Sequence, residues 1–131
     1  MATDTPVISK KRFWTGYILG ALPALFMIVT GLSMAVIKPP SAVESFAQFG
    51  YPADLLTPIS IVEALCAILY LIPRTSMFGA LFLTAYFGGA TATHVRIHDP
   101  LFVVPIVTCI LIWVALYLRD SRLSVLLSFR T

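Results

Sequence analysis

The stretch Leu55–Pro73, with the sequence LLTPISIVEALCAILYLIP, decides the class of this protein. It is apolar and about as long as a helix that crosses the hydrocarbon core of a bilayer, for which about 20 residues are needed. Glu63, near its middle, is its one acidic or basic residue. A charge at that depth costs several kcal/mol, so the sequence predicts that Glu63 is protonated. Two roles stay open for it, a structural hydrogen bond to a neighbouring helix or a function.

The composition indicates that the chain as a whole, and not only this stretch, is that of a membrane protein. Of 131 residues, 59% are hydrophobic and 11% are charged, whereas soluble domains carry about 25% charged residues. The sequence therefore predicts an all-α membrane protein, a four-helix antiparallel bundle, and leaves no room for a separate soluble domain. The predicted domain covers residues 13–118, between an N-terminal segment, 1–12, and a basic tail, 119–131. The apolar segments are Phe13–Ile37, Leu55–Pro73, Met77–Val95 and Leu101–Leu118.

Basic residues are spread unevenly over the ends of these segments. When alternate linkers are assigned to opposite sides, seven fall on one side and two on the other. The positive-inside rule then places both termini in the cytoplasm. The net charge of +3 needs no nucleic acid, because a basic face beside anionic lipid explains it. The first side holds Lys10, Lys11, Arg12, Arg74, Arg119, Arg122 and Arg130, and the second holds Lys38 and Arg96.

The linker between the first two segments contains a helical pattern of its own. Ser41 followed by Glu44 has the spacing of a capping box, in which each side chain bonds the other residue's backbone. Phe46 and Phe49 continue at helical spacing, and Gly50 suits the end of a helix. We therefore expect a short amphipathic helix on the outer membrane surface, between helices 1 and 2.

Tight hairpins bring four polar residues to one predicted depth. The turn after Pro73 places Glu63 level with Tyr86, and the next turn places Thr108 beside them. Counting from the outer end of the first helix adds Thr30. A phenol or hydroxyl can satisfy a buried carboxyl without a counter-charge. The layer is either a structural network that sets helix register or a site that handles protons or anchors a ligand.

His94 and Arg96 close the third segment at its outer end, where they could contact lipid phosphate, a substrate or Asp54. The alternative is that both only reach the interface and cap the helix. The histidines match no standard metal-ligand spacing, so no metal site is predicted. Cys66 and Cys109 lie inside predicted helices and read as small apolar residues; a redox pair is the alternative.

Seven short stretches carry a resemblance to a known family: Phe49–Pro52, Ile59–Glu63, Tyr70–Arg74, Tyr86–Ala90, Thr93–Arg96, Asp99–Pro100 and Trp113–Asp120. Together they resemble the DoxX-like family of small four-helix membrane proteins. The resemblance covers the chain from the first helix to about Arg122. It implies a bundle in the bacterial plasma membrane, with Glu63 and His94 as the positions most suited to a functional role.

The resemblance implies an accessory subunit, since founding members of the family are linked to a quinone-reducing thiosulfate oxidoreductase. The predicted function is to bind a lipophilic ligand, with a quinone as the candidate, near Glu63. No flavin, haem or iron–sulfur signature is present, so electrons would come from a partner redox subunit. The alternative is a non-enzymatic scaffold or assembly factor for another membrane protein, held by small-residue faces.

The charge asymmetry predicts the accessibility of both termini. We expect Thr5→Cys and Ser128→Cys, each in a chain without Cys66 and Cys109, to react with a membrane-impermeant thiol reagent only in opened cells. Gln48→Cys, in the long linker, should react in intact cells and is the control. Labelling of either terminus from outside would contradict the predicted orientation.

Overall fold

The computed structural model describes residues 7–127, which contain helices and no strand. The all-α prediction is therefore confirmed for this part of the chain, and each predicted apolar segment contains one long helix. The helices are α1 (Lys10–Val36), α2 (Pro40–Phe49), α3 (Leu56–Leu71), α4 (Ser76–Arg96), α5 (Val103–Arg119) and α6 (Ser121–Leu126), with 3₁₀ turns at Ala53–Leu55 and Pro100–Phe102.

Three segments are long and apolar enough to cross a membrane: Lys10–Val36, Ala53–Leu71 and Pro100–Arg119. The chain is thus a membrane protein with three candidate spans. The 21-residue α4 is not among them, although its length suffices. Its glycines and threonines lower its mean hydropathy, and small residues of this kind are typical of a helix that packs against other helices.

Prolines lie where a helix tolerates them. Pro58 and Pro105 occupy the first turns of α3 and α5, where the backbone N–H has no partner within the helix. Pro23 lies inside α1, which continues on both sides of it. The first turn of α1 is capped by the Ser9 hydroxyl, which accepts from the Arg12 N–H at 3.2 Å. This cap explains why α1 already begins at Lys10.

The linker helix exists, but its predicted capping box is wrong. Helix α2 starts at Pro40 after the N-cap Pro39, and no side chain bonds its first turn. A proline at the first position presets the helical φ, so Ser41 and Glu44 lie within the helix instead of capping it. The C-terminal prediction is confirmed, because Gly50 ends the helix with φ 85°.

The four long helices pack in a ring in which α1 and α4 each contact both α3 and α5. Glycines permit the closest approaches. A Cβ atom on Gly16 would lie 2.7 Å from the Ala115 carbonyl of α5, and one on Gly79 would collide with the Tyr70 backbone of α3. The buried core inside the ring includes Ala24, Met27, Ala67, Tyr70, Leu83, Phe87, Ile112 and Leu116.

The predicted basic tail is structured over its first part. Helix α6 turns back so that Leu123 is 3% exposed and joins the core. Residues 1–6 and 128–131 lie outside the described residues, so the structure describes the predicted terminal segments, 1–12 and 119–131, only in part.

The close contact between α3 and α4 predicts that alanine substitution lowers the stability much more at one glycine of α4 than at another. Gly79→Ala should lower the stability by about 1–3 kcal/mol, because the new methyl group meets backbone that cannot rotate away. Gly88→Ala is the matched control: a Cβ there meets no atom within 4 Å. Thermal unfolding in detergent, followed by circular dichroism, measures both. Equal melting temperatures for the two variants would contradict this packing.

Candidate functional site

The predicted partnership of Glu63 and Tyr86 is present in the structure. The Tyr86 hydroxyl donates to Glu63 Oε2 over 3.1 Å, from α4 to α3. Both side chains are half-buried. The short turn between α3 and α4 sets this register, since Thr75 Oγ donates back to the Leu69 carbonyl at 2.8 Å and closes the hairpin. The acceptor oxygen of Glu63 is thereby satisfied without a nearby cation.

The hydroxyl groups of Thr30 and Thr108 face the same region, but each donates its hydrogen bond to a backbone carbonyl of its own helix. The Thr30 hydroxyl donates to the Phe26 carbonyl at 2.9 Å, and the Thr108 hydroxyl donates to the Val104 carbonyl at 2.8 Å. Each hydroxyl has one proton, so only its oxygen remains available to other groups. Thr30 is close enough to interact with the Glu63 carboxyl. The predicted polar layer is therefore one region with four polar side chains, in which Glu63 and Tyr86 form the direct bond.

Two cavities meet at Glu63 and Tyr86. The α2-side cavity, of about 440 Å³, lies between α1, α2 and α3 and includes Thr30. The α5-side cavity, of about 410 Å³, lies between α1, α4 and α5 and includes Thr108 and His94. Both volumes lie in the range of small-molecule sites, roughly 300–1,000 Å³. Both are walled mainly by apolar side chains, so the carboxyl and the phenol are their central polar groups.

His94 is fixed at the edge of the α5-side cavity. Its Nδ1 lies 2.9 Å from Asp99 Oδ2, and its ring meets the Phe49 ring edge-on at 4.9 Å between centroids. The Leu101 N–H donates to Asp99 Oδ1 at 3.0 Å. This backbone bond, followed by the bond to His94, holds the pKa of Asp99 below its ordinary value. The carboxylate orients the imidazole, as it does in many sites that move protons.

Arg96 lies apart from the carboxyl–phenol pair. Its guanidinium donates to the Phe49 carbonyl and lies 5.9 Å from the centre of the Tyr51 ring. The Tyr51 hydroxyl bonds the Thr93 hydroxyl at 2.9 Å. Arg96 therefore ties the end of α2 to α4, and among its described contacts Asp54 is not a partner. Arg96 has a positioning role in the structure.

The cysteines lie in different surroundings. Cys66 is buried, and Cys109 donates weakly to the Thr84 hydroxyl at 3.7 Å, beside Trp113, whose indole N–H reaches the same oxygen at 2.7 Å. Both thiols are free. Within residues 7–127 no group of three or more His, Cys, Asp or Glu side chains could hold a metal ion.

Sequence reasoning missed the apolar walls of the site. Phe26, Phe46 and Ile59 line the α2-side cavity, and Phe46 also lies against Tyr51. The helical spacing of Phe46 and Phe49 was the available signal, because two aromatic residues on one face of α2 must cover something apolar. Which helix they cover depends on the path of the linker, which the pattern does not encode.

The geometry predicts the protonation state of Glu63. The bundle offers it a phenol and a hydroxyl oxygen but no cation, so we expect a neutral carboxylic acid at pH 7. Infrared difference spectroscopy should show a protonated carboxyl band that disappears in Glu63→Gln. Glu44→Gln is the matched control, since Glu44 is the other glutamate and is exposed on α2. A carboxylate signal from Glu63 at pH 7 would overturn this assignment.

Comparison with known proteins gives one match. A sequence model described as the DoxX-like family matches residues 18–115, a span that includes α1 from its third turn, both cavities and most of α5. Neither the search of curated proteins nor the search of solved structures gives a significant match. The matched span covers well over half of the chain, so the protein belongs to the DoxX-like family.

Proposed function

We propose that α1, α3, α4 and α5 cross the bacterial plasma membrane as an antiparallel four-helix bundle with both termini in the cytoplasm. The short connections from α3 to α4 and from α4 to α5, together with the excess of basic residues at one end, support this arrangement. In it α4 is the fourth span, and α3 and α5 contact the side of α4 where Gly79, Ala80 and Leu83 are buried. Helix α2 then lies at the outer interface, with Phe46 and Phe49 half-buried against the bundle.

We further propose that the protein is an accessory subunit that binds a lipophilic carbonyl compound, a quinone, at the meeting point of the two cavities. One observation carries this proposal: a carboxyl group bonded to a phenol opens onto two apolar cavities of about 440 and 410 Å³. Apolar walls with a few convergent polar groups are typical of small-molecule sites. A structural hydrogen bond alone needs no such space beside it.

The chemistry of the residues fits a carbonyl ligand. Tyr86 directs its proton to Oε2 of Glu63, so a protonated Glu63 keeps its own O–H for another acceptor. A ligand carbonyl can accept that bond, and the same group can deliver a proton when the ligand is reduced. His94, held by Asp99, lines the same α5-side cavity as Glu63, and in this proposal it supplies protons to that cavity. The electrons would come from a partner redox subunit.

A scaffold role is the second candidate, and α4 carries the observation that favours it. A Cβ atom on Gly88 or Gly89 would meet nothing within 4 Å, so this face of α4 is not used inside the bundle. Small residues on an unused helix face allow another membrane helix to approach closely. In this case the partner would bind α4, and the cavities would hold lipid or stay without a specific ligand.

Ligand retention distinguishes the two candidates. In gently solubilised protein we expect bound quinone by mass spectrometry, with occupancy lowered about three- to tenfold in Glu63→Leu, because a donor to the carbonyl is lost. Glu63→Gln keeps an N–H donor and should retain most of the ligand, while losing activity of the cognate complex. Glu44→Gln should match the unmodified protein in both respects.

A negative result would be equally informative. Quinone bound equally well by Glu63→Leu, in protein of unchanged helicity, would contradict a ligand site at Glu63. A co-purifying membrane protein without ligand, released by Gly88→Leu, would establish the scaffold role instead.

A further inference from the structure

Arg119, at the last turn of α5, is buried, and within residues 7–127 it has no carboxylate partner. It is 8% exposed, and its Nη2 donates to the Tyr70 carbonyl at 2.8 Å. Its guanidinium carbon lies 4.6 Å from the centre of the Tyr70 ring and 5.2 Å from that of Tyr17. Its buried Nε has no hydrogen-bond partner among the described residues. A carbonyl and two aromatic rings thus surround a full positive charge.

The carboxylate that follows Arg119 in the chain, Asp120, already pairs with another arginine. Asp120 accepts from Arg122 Nη2 at 2.9 Å, from Arg122 Nε at 3.1 Å and from the Arg122 backbone N–H at 2.9 Å. Burial raises the pKa of Asp120, but these bonds outweigh it, and the pKa lies below its ordinary value. Asp120 is therefore a carboxylate whose charge Arg122 balances. The two charges cancel, and that of Arg119 remains.

An uncompensated buried cation is unfavourable, and aromatic faces offset only part of the cost. Cation–π contacts stabilise a charge only modestly, whereas burying a charge without a counter-ion is strongly unfavourable. An unpartnered N–H on a guanidinium adds the loss of a hydrogen bond. The arrangement becomes favourable when an anion with oxygen acceptors lies against Arg119.

A cavity of about 200 Å³ is available for such an anion. It is lined by Arg119, by Arg122 with the Asp120 carboxylate that it pairs, by the hydroxyl-bearing Ser76 and Ser121, and by apolar and aromatic side chains that include Phe13 and Tyr17. The volume is several times what one ordered water needs. Guanidinium and hydroxyl donors are the groups that recognise phosphate, and arginine can bind it through two parallel bonds.

We propose that this Arg119 cavity binds a phosphate group, as the headgroup of an anionic phospholipid. It lies at the end of the bundle where α1 begins and α5 ends, among the basic residues. The aromatic side chains at its wall suit the glycerol and upper acyl region beside a headgroup. A free phosphate ion offers the same oxygen chemistry without this apolar part. The site is distant from Glu63 and independent of the ligand proposed there.

Native mass spectrometry of the full chain tests the proposal with three probes: phosphatidylglycerol, phosphatidylcholine and inorganic phosphate. We expect one phosphatidylglycerol molecule to be retained in preference to phosphatidylcholine. In Arg119→Gln its affinity should fall roughly tenfold or more, since charge-assisted bonds are lost. Arg74→Gln is the matched control for general attraction to anionic lipid, because Arg74 is exposed at the same end and outside the cavity.

Ser121→Glu keeps the test decisive if Arg119→Gln does not fold. It leaves every bond of Arg119 in place and adds a carboxylate to the cavity, so it should keep the helicity and lose the preference for phosphatidylglycerol. Inorganic phosphate that competes with the lipid at millimolar concentration would identify free phosphate as the occupant. Equal phosphatidylglycerol binding by the unmodified protein, Arg119→Gln and Ser121→Glu would overturn the proposal, as would equal losses in Arg74→Gln.

Discussion

Polar side chains inside an apolar bundle must find their partners within the protein, because lipid offers none. This constraint accounts for most of the interhelical bonds. The Tyr70 hydroxyl, fully buried, donates to the Ile112 carbonyl at 2.8 Å, and the Trp113 indole donates to Thr84 at 2.7 Å. Each bond joins two helices at one height. Because a shift by one turn would leave the donors without acceptors, these bonds set how the helices align.

Glycine determines how closely the same helices approach. Gly16 and Gly20 place α1 directly against Ala115 of α5, and Gly31 places it against Ser60 of α3. Close approach increases dispersion contacts, which replace the hydrophobic effect as a driving force between helices in lipid. The interface between α1 and its neighbouring helices is therefore closely packed at these three glycines. Away from these glycines, larger side chains such as Phe26 and Phe46 line the α2-side cavity.

The same need for partners gives two parts of the bundle different chemistry. Near the middle of α3, Glu63 is bonded to the Tyr86 phenol and opens onto apolar space, which suits a neutral lipophilic compound. At the end of α5, the buried cation of Arg119 has aromatic faces but no carboxylate partner among the described residues, which suits an anion. Neither group is satisfied as a bare charge in an apolar medium. We expect Glu63 to lose its charge by holding a proton, and we propose that Arg119 keeps its charge and gains a counter-ion.

Periodicity and hydropathy by themselves determined the four long helices, the membrane class and the pairing of Glu63 with Tyr86, because a short hairpin leaves one register for two helices. The start of α2 was mispredicted, since Pro40 presets the helix where Ser41 has the pattern of a cap. The bonds of Thr30 and Thr108 to the carbonyl four residues earlier lie within single helices, whereas only the tertiary structure decided that Arg119 is buried. In sequence Arg119 reads as one of seven basic residues at an exposed end. Its burial depends on how α1 and α3 place Tyr17 and Tyr70 around it, and a local pattern does not encode contacts between distant segments.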